Sequence, residues 1–183
     1  KEERRIFGPD KSGARLEGSK IFAKDFMRKY GIPTAEYKTF TSYMQAEEYV
    51  RLKGAPIVIK ADGLAAGRGV IVAETVDEAT DALKLIMKDK AFGDAGNKVL
   101  VEQCLKGEEA SFMILTDGKT VIPLATSQDH KRIFDGDKGP NTGGMGAYSP
   151  APLITGLLQA EIMRSIINPI MNGLQREGIN YRG

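Results

Sequence analysis

Lys60-Ala61-Asp62-Gly63-Leu64-Ala65-Ala66-Gly67-Arg68-Gly69 lies between the apolar runs Ile57-Val58-Ile59 and Val70-Ile71-Val72, and this arrangement decides the fold class. Short runs of β-branched residues favour strands, so the stretch reads as strand, glycine loop, strand. Glycines and alanines leave the backbone N–H groups of such a loop uncovered, and uncovered N–H groups can wrap phosphate oxygens. The loop is not a Walker A loop, which needs Gly-Lys followed by Ser or Thr at the start of a helix, and it lacks the third glycine of a dinucleotide fingerprint. A tight hairpin whose small residues serve close packing is the competing structural reading.

Working outward from the loop, Ser19 can cap a helix over residues 19–30 whose Phe22, Ala23, Phe26, Met27 and Tyr30 share one face, with Gly31 and Pro33 ending it. A short strand over residues 36–41 and a helix over residues 43–53, stopped by Gly54, lead into Ile57. Beyond the loop, Thr75 caps a further helix carrying Val76, Ala79, Leu83 and Met87, and Val99-Leu100-Val101-Glu102 reads as another strand. Residues 109–116 are expected to pair with residues 120–124 across Asp117-Gly118, a hairpin signal. Residues 125–152 are rich in glycine and proline without helical or strand periodicity, so they are expected to form a long loop, ordered or not. Thr155 opens a final helix to about residue 177, with Pro169 expected to kink or divide it. Strands with antiparallel signals interspersed with helices place the chain in the α/β (α+β) class, and no internal repeat is visible.

Composition sets limits on function. The 183 residues are 42% hydrophobic and 27% charged with a formal net charge of +2, the profile of a globular protein without the electrostatic footprint of a nucleic-acid or membrane binder. No apolar run approaches the roughly 18 residues that span a bilayer, and Lys1-Glu2-Glu3-Arg4-Arg5 does not lead into a signal-peptide core. The single Cys104 fits a reducing compartment, so a cytoplasmic location is expected. Both ends read as cut, because the sequence opens on Lys1 without an initiator Met and Asn180-Tyr181-Arg182-Gly183 follows a helix without an evident closing element.

Several residues carry chemistry. Lys60 closes an apolar strand and Lys20 lies in the first turn of a helix, so both can direct ammonium groups at a shared anion, although a lone lysine is most often solvated. Glu102-Gln103-Cys104-Leu105 passes from strand to loop, a geometry whose backbone can meet an adenine edge, and Glu109 beyond it can take ribose hydroxyls; acidic loop residues are otherwise mostly solvated. Asp129-His130-Lys131-Arg132 followed by Gly139-Pro140-Asn141-Thr142-Gly143-Gly144-Met145-Gly146 couples polar groups to a second glycine-rich loop, which suggests a second ligand. His130 is more readily a hydrogen-bonded structural histidine, since nothing supplies a triad or a metal cluster.

Taken together, KADGLAAGRGVIVA from Lys60, VEQCLKGEEASF from Val101 and TSQDHKRIFDGDKGPNTGGMGAYSPAP from Thr126 resemble the central region of the phosphoribosylamine–glycine ligase family of ATP-grasp enzymes. The similarity extends through FGPDKSGARLEGSK from Phe7 and covers essentially the whole chain. It implies an ATP-grasp fold of two α/β subdomains with antiparallel sheets enclosing ATP: residues 1–37 opening the A subdomain, 38–107 forming the B subdomain or lid, and 108–183 continuing A. Carried over by residue, Lys20 and Lys60 contact phosphates; Gly63, Gly67, Arg68 and Gly69 belong to the mobile phosphate loop; Glu102, Gln103, Cys104 and Leu105 frame adenine; and Glu109 holds ribose. Asp129, Lys131, Asn141, Thr142 and Gly143 face glycine or phosphoribosylamine, with Lys60, Asp129, Lys131 and Asn141 as the catalytic set.

The resemblance also implies a reaction in which ATP, with Mg²⁺ or Mn²⁺, activates the glycine carboxylate as glycyl phosphate. The amine of 5-phosphoribosylamine then displaces phosphate to give glycinamide ribonucleotide in purine biosynthesis. The partners implied are small molecules, with no nucleic acid and no membrane. One departure is Gly67-Arg68-Gly69, where the family has Gly-Lys-Gly; arginine offers a fork of donors in place of a point charge. The family carries Glu-Phe-Asn metal ligands in a C-terminal part beyond the counterpart of Gly183, so no metal ligand is assigned here and the isolated chain is expected not to turn over. Two readings stand beside this one: another purine-pathway ATP-grasp carboxylate–amine ligase, and a nucleotide-binding module without turnover.

Overall fold

Helix α1 (Arg15–Gly18) runs into α2 (Lys20–Lys29), whose N-terminus is set by Ser19: its backbone is extended and its side chain accepts from the Phe22 N–H. The structure is a computed structural model and describes residues 7–63, 65, 69–136 and 138–183, with the backbone alone at 138, 140 and 141. Strand β1 (Tyr37–Phe40) and helix α3 (Tyr43–Lys53) precede β2 (Ile57–Ala61) and β3 (Val70–Ala73). Helix α4 (Val76–Leu83), capped by Thr75, leads to β4 (Val99–Gln103).

These strands form one antiparallel sheet in the order β1-β4-β2-β3. Strands β2 and β3 are the hairpin whose turn is the glycine loop, in the register Ile57↔Ala73 to Lys60↔Val70. Side chains alternate across a strand, so Ile57, Ile59, Val99 and Val101 face α3 and α4 and bury with Val50, Leu83 and Ile86 into one core. The other face presents Val58 and Lys60 from β2, Leu100 and Glu102 from β4, and Val70 and Val72 from β3. Leu100 and Glu102 are buried there as well, and α2 contributes to that cover through an ion pair from Lys24 to Glu102.

By packing, residues 14–106 form one compact unit, and residues 1–13 with 107–183 form the other. Helix α2 therefore groups with the four-stranded sheet, and the subdomain partition at residue 38 stays a proposal. The second unit contains β5 (Ile114–Thr116), β6 (Val121–Pro123), β7 (Gln128–Phe134), β8 (Lys138–Tyr148), α5 (Gly156–Ile162) and α6 (Asn168–Arg176). Asp117 turns the β5–β6 hairpin by accepting from the N–H groups of Lys119 and Thr120.

Two expectations are corrected. Residues 125–152 are not a loop: β7 and β8 pair antiparallel from Gln128↔Tyr148 to Phe134↔Lys138, with irregularities on either side of Arg132. The strand signal is missing because glycines and a proline fill β8 and most of β7 is exposed, so neither propensity nor alternation marks it. The expected strand at 109–116 shortens to β5, with only an isolated bridge from Ser111 to Ser127 before it. The last helix is divided ahead of Pro169, as expected. A π turn, Met163–Ile167, joins α5 to α6 and places Pro169 in the first turn of α6. Helix α4 likewise passes into a π turn, Lys84–Lys88, that keeps Ile86 and Met87 buried.

Candidate nucleotide site

A cavity of about 430 Å³ lies on the second face of the four-stranded sheet, within residues 14–106. Lys20, Ala23, Lys24 and Met27 line it from successive turns of α2, and Lys60, Gly63, Gly69, Val70 and Glu102 line it from the sheet and the root of the glycine loop. The sequence directs Lys20 and Lys60 at one anion, and the fold brings both to this cavity. Lys20 Nζ donates to the Gly63 carbonyl at 2.7 Å.

The loop root is tied to the helix. Asp62 accepts from Ser19 Oγ at 3.1 Å and from the Ile21 N–H at 3.1 Å, so a carboxylate takes an otherwise orphaned donor at the N-terminus of α2. The expected loop residues Gly67 and Arg68 lie outside the described residues.

Glu102 is the centre of the charge arrangement. It is 4% exposed, and its Oε2 accepts from Lys60 Nζ at 2.9 Å and pairs with Lys24 Nζ at 3.2 Å. Among the described residues, Glu102 Oε1 is the buried side-chain oxygen left without any hydrogen-bond partner. An unsatisfied buried carboxylate oxygen costs free energy until a donor reaches it, so a ligand with a suitable N–H gains there. The sequence reading does not anticipate Lys24. Its signal is the i,i+4 spacing from Lys20, since two like charges on one helix face oppose helix formation unless a counter-charge lies between or beside them.

Past Glu102 the chain leaves the sheet: the Gln103 N–H donates to the Glu36 carbonyl, Cys104 is half-buried and Leu105 is exposed. A wider hollow of about 520 Å³ on the α4 side is lined by Ile71, Leu85 and the acidic Glu78, Asp81 and Asp89. No buried side-chain atom there lacks a partner among the described residues, and its acidity does not suit a polyphosphate.

The second unit holds the remaining candidates. Lys131 Nζ donates to Glu109 Oε1 at 2.6 Å and stands 3.8 Å from Asp129 Oδ2. Thr142 Oγ1 donates to the Lys131 carbonyl and accepts from the Gly144 N–H, which fixes the strand beside Lys131. Gly143 has open space where a side chain would stand. Asn141 is described by its backbone, which pairs with Arg132. His130 is exposed and packs its ring 5.6 Å from that of Tyr148, whose hydroxyl donates to Gln128 Oε1.

The hydrogen bond to Glu109 holds the Lys131 ammonium above its ordinary value of 10.5, and Asp129 adds to the effect. A raised lysine value means that the pair favours the folded state at all pH below the unfolded value and loses that contribution as pH rises through the folded one. NMR titration of Lys131 is expected to give a midpoint above 10.5, and Glu109→Gln is expected to lower it; an unmoved midpoint would remove the pair.

The antiparallel sheet with a glycine-loop hairpin, and the lysines that α2 and β2 bring to the cavity, agree with the ATP-grasp class that the matching family model names. The D-alanyl-alanine synthetase A of Vibrio cholerae shares that fold, with a TM-score of 0.68 at 17% identity over 95% of this chain and 52% of that one. A model of the phosphoribosylglycinamide synthetase ATP-grasp (A) domain matches residues 18–183, and the chain belongs to that family. The phosphoribosylamine–glycine ligase of Ralstonia nicotianae is 58% identical over 179 residues, 98% of this chain and 42% of that protein. The crystal structure of the phosphoribosylamine–glycine ligase of Thermotoga maritima matches with a TM-score of 0.85 at 37% identity, covering 97% of this chain and 45% of that one. The chain thus spans less than half the length of these relatives. Among the described residues no helix is long and apolar enough to cross a membrane.

Proposed function

We propose that the chain is the ATP-binding part of a ligase that joins glycine to 5-phosphoribosylamine, forming glycinamide ribonucleotide, ADP and phosphate. The observation that carries this reading is the buried Glu102 with one oxygen held by two lysines and the other unsatisfied, set in a cavity beside Lys20 and the loop root. Glu102 Oε1 accepts from the adenine amino group, while Lys60 and Lys20 meet the phosphates. Gln103, Cys104 and Leu105 frame the base, Glu109 holds the ribose, and Asp129, Lys131, Asn141, Thr142 and Gly143 serve the second-substrate side.

Phosphoryl transfer to a carboxylate requires positioning and charge compensation more than a covalent nucleophile. Lys60 suits that role, because it commits one donor to Glu102 and keeps the rest of its ammonium group for an anion. Magnesium accompanies ATP in such chemistry and neutralises phosphate charge. The described residues contain no group of three or more His, Cys, Asp or Glu placed to hold a metal ion.

A chimera tests the reading. This chain is substituted for the matched segment of the Ralstonia nicotianae ligase, and its folding is checked by an ATP-dependent rise in melting temperature. ADP release is expected only when ATP, glycine and phosphoribosylamine are all present. A chimera that folds and binds ATP but releases no ADP, or releases it without phosphoribosylamine, contradicts the assignment.

A further inference from the structure

We infer that Lys24 is a positioning residue for nucleotide choice: by fixing Glu102 Oε2 together with Lys60, it leaves Oε1 as an acceptor-only group that admits a 6-amino purine and rejects a 6-oxo one. The inference rests on the proposed nucleotide site and deepens it. An ammonium group has three donors; Lys24 Nζ donates to Thr34 Oγ1 at 2.6 Å and Ala35 O at 3.3 Å and forms an ion pair with Glu102 Oε2 at 3.2 Å. With these three partners and a side chain 10% exposed, Lys24 has nothing left for a ligand. It acts through Glu102. Lys60, 26% exposed with one donor committed, remains the phosphate-facing cation.

Two ammonium groups on Oε2 also settle which carboxylate oxygen stays free. Turning the carboxylate over only exchanges two equivalent oxygens, so one oxygen always meets the ammonium groups and the other stays free in the same place. An ionised carboxylate only accepts. An exocyclic amine satisfies it, whereas a carbonyl in the same place sets lone pair against lone pair and leaves Oε1 buried and unpaired, the situation in which sites discriminate most strongly. With Lys24 removed, Oε2 has one partner and the carboxylate can rotate or follow Lys60, so the acceptor loses its fixed direction.

ATP and ITP differ at the 6 position as the inference requires, and their dissociation constants for the 183-residue chain, measured by calorimetry, give the test. The wild-type chain is expected to favour ATP by at least about tenfold, and Lys24→Met to erase most of that ratio. Lys24→Met leaves Glu102 paired with Lys60, so the fold retains a compensated charge. Thr34→Val, which removes one support from Lys24 and no charge, is expected to reduce the ratio partially and serves if the Met variant does not fold. A purely structural Lys24 would weaken both nucleotides equally, and an unchanged ratio in Lys24→Met and Thr34→Val overturns its role. Glu102→Gln separates the levels. If Glu102→Gln alters the ratio and the Lys24 and Thr34 variants do not, only the positioning role fails. If Glu102→Gln does not alter it, or the wild type does not discriminate, the placement of adenine at Glu102 fails with it.

Discussion

Lys60→Ala is expected to weaken ATP binding by about ten- to a hundredfold while leaving the chain folded. A charge-assisted contact to phosphate is worth about 1.5–3 kcal/mol, and each 1.4 kcal/mol is a factor of ten. The fold survives because Glu102 keeps Lys24, the more buried of its two cations. Lys20→Ala is expected to have a smaller effect, since Lys20 already donates to the Gly63 carbonyl and part of its role is to hold the loop root. Calorimetric titration with ATP checks both, and unchanged affinity in the two variants would remove the phosphate assignment.

Glu102→Ala is expected to act on stability, lowering it by about 3–5 kcal/mol, because removing one member of a buried ionic cluster strands the others. Lys24, at 10% side-chain exposure, cannot reach water without leaving its place, and Lys60 then stands near it as a like charge without a counter-ion. A loss of that size is a large part of the roughly 5–15 kcal/mol that holds a domain folded. Urea unfolding with an unchanged slope reads the loss directly. Glu102→Gln, which keeps an acceptor oxygen, is expected to lose less. A Glu102→Ala chain as stable as wild type would mean that the two lysines are solvated and that the buried cluster is misjudged.

The parts of the fold legible in the sequence are those where one periodicity dominates. Ile57-Val58-Ile59 and Val70-Ile71-Val72 announce β2 and β3, and Ser19, Thr75 and Thr155 mark helix starts that the structure confirms by side-chain hydrogen bonds. Strands β7 and β8 escape because their residues fit a strand only through pairing with each other. Of the site, Lys20, Lys60 and Glu102 are legible as types in suggestive places. Their meeting is not, because it depends on β2 and β4 being neighbours and on α2 covering the far face of the sheet. Lys24 is hidden for a related reason: it lies off the apolar stripe of α2, where a lone lysine is most often solvated, and its counter-charge is distant in sequence.

An NMR titration of the 183-residue chain with ATP tests the central claim most directly. Saturable shifts are expected to concentrate on the amides of Lys20, Lys24, Lys60, Gly63, Gly69, Val70 and Glu102, the residues around the cavity. Shifts centred on Glu78, Asp81 and Leu85 of the wider hollow, or no shifts at millimolar ATP, would contradict it.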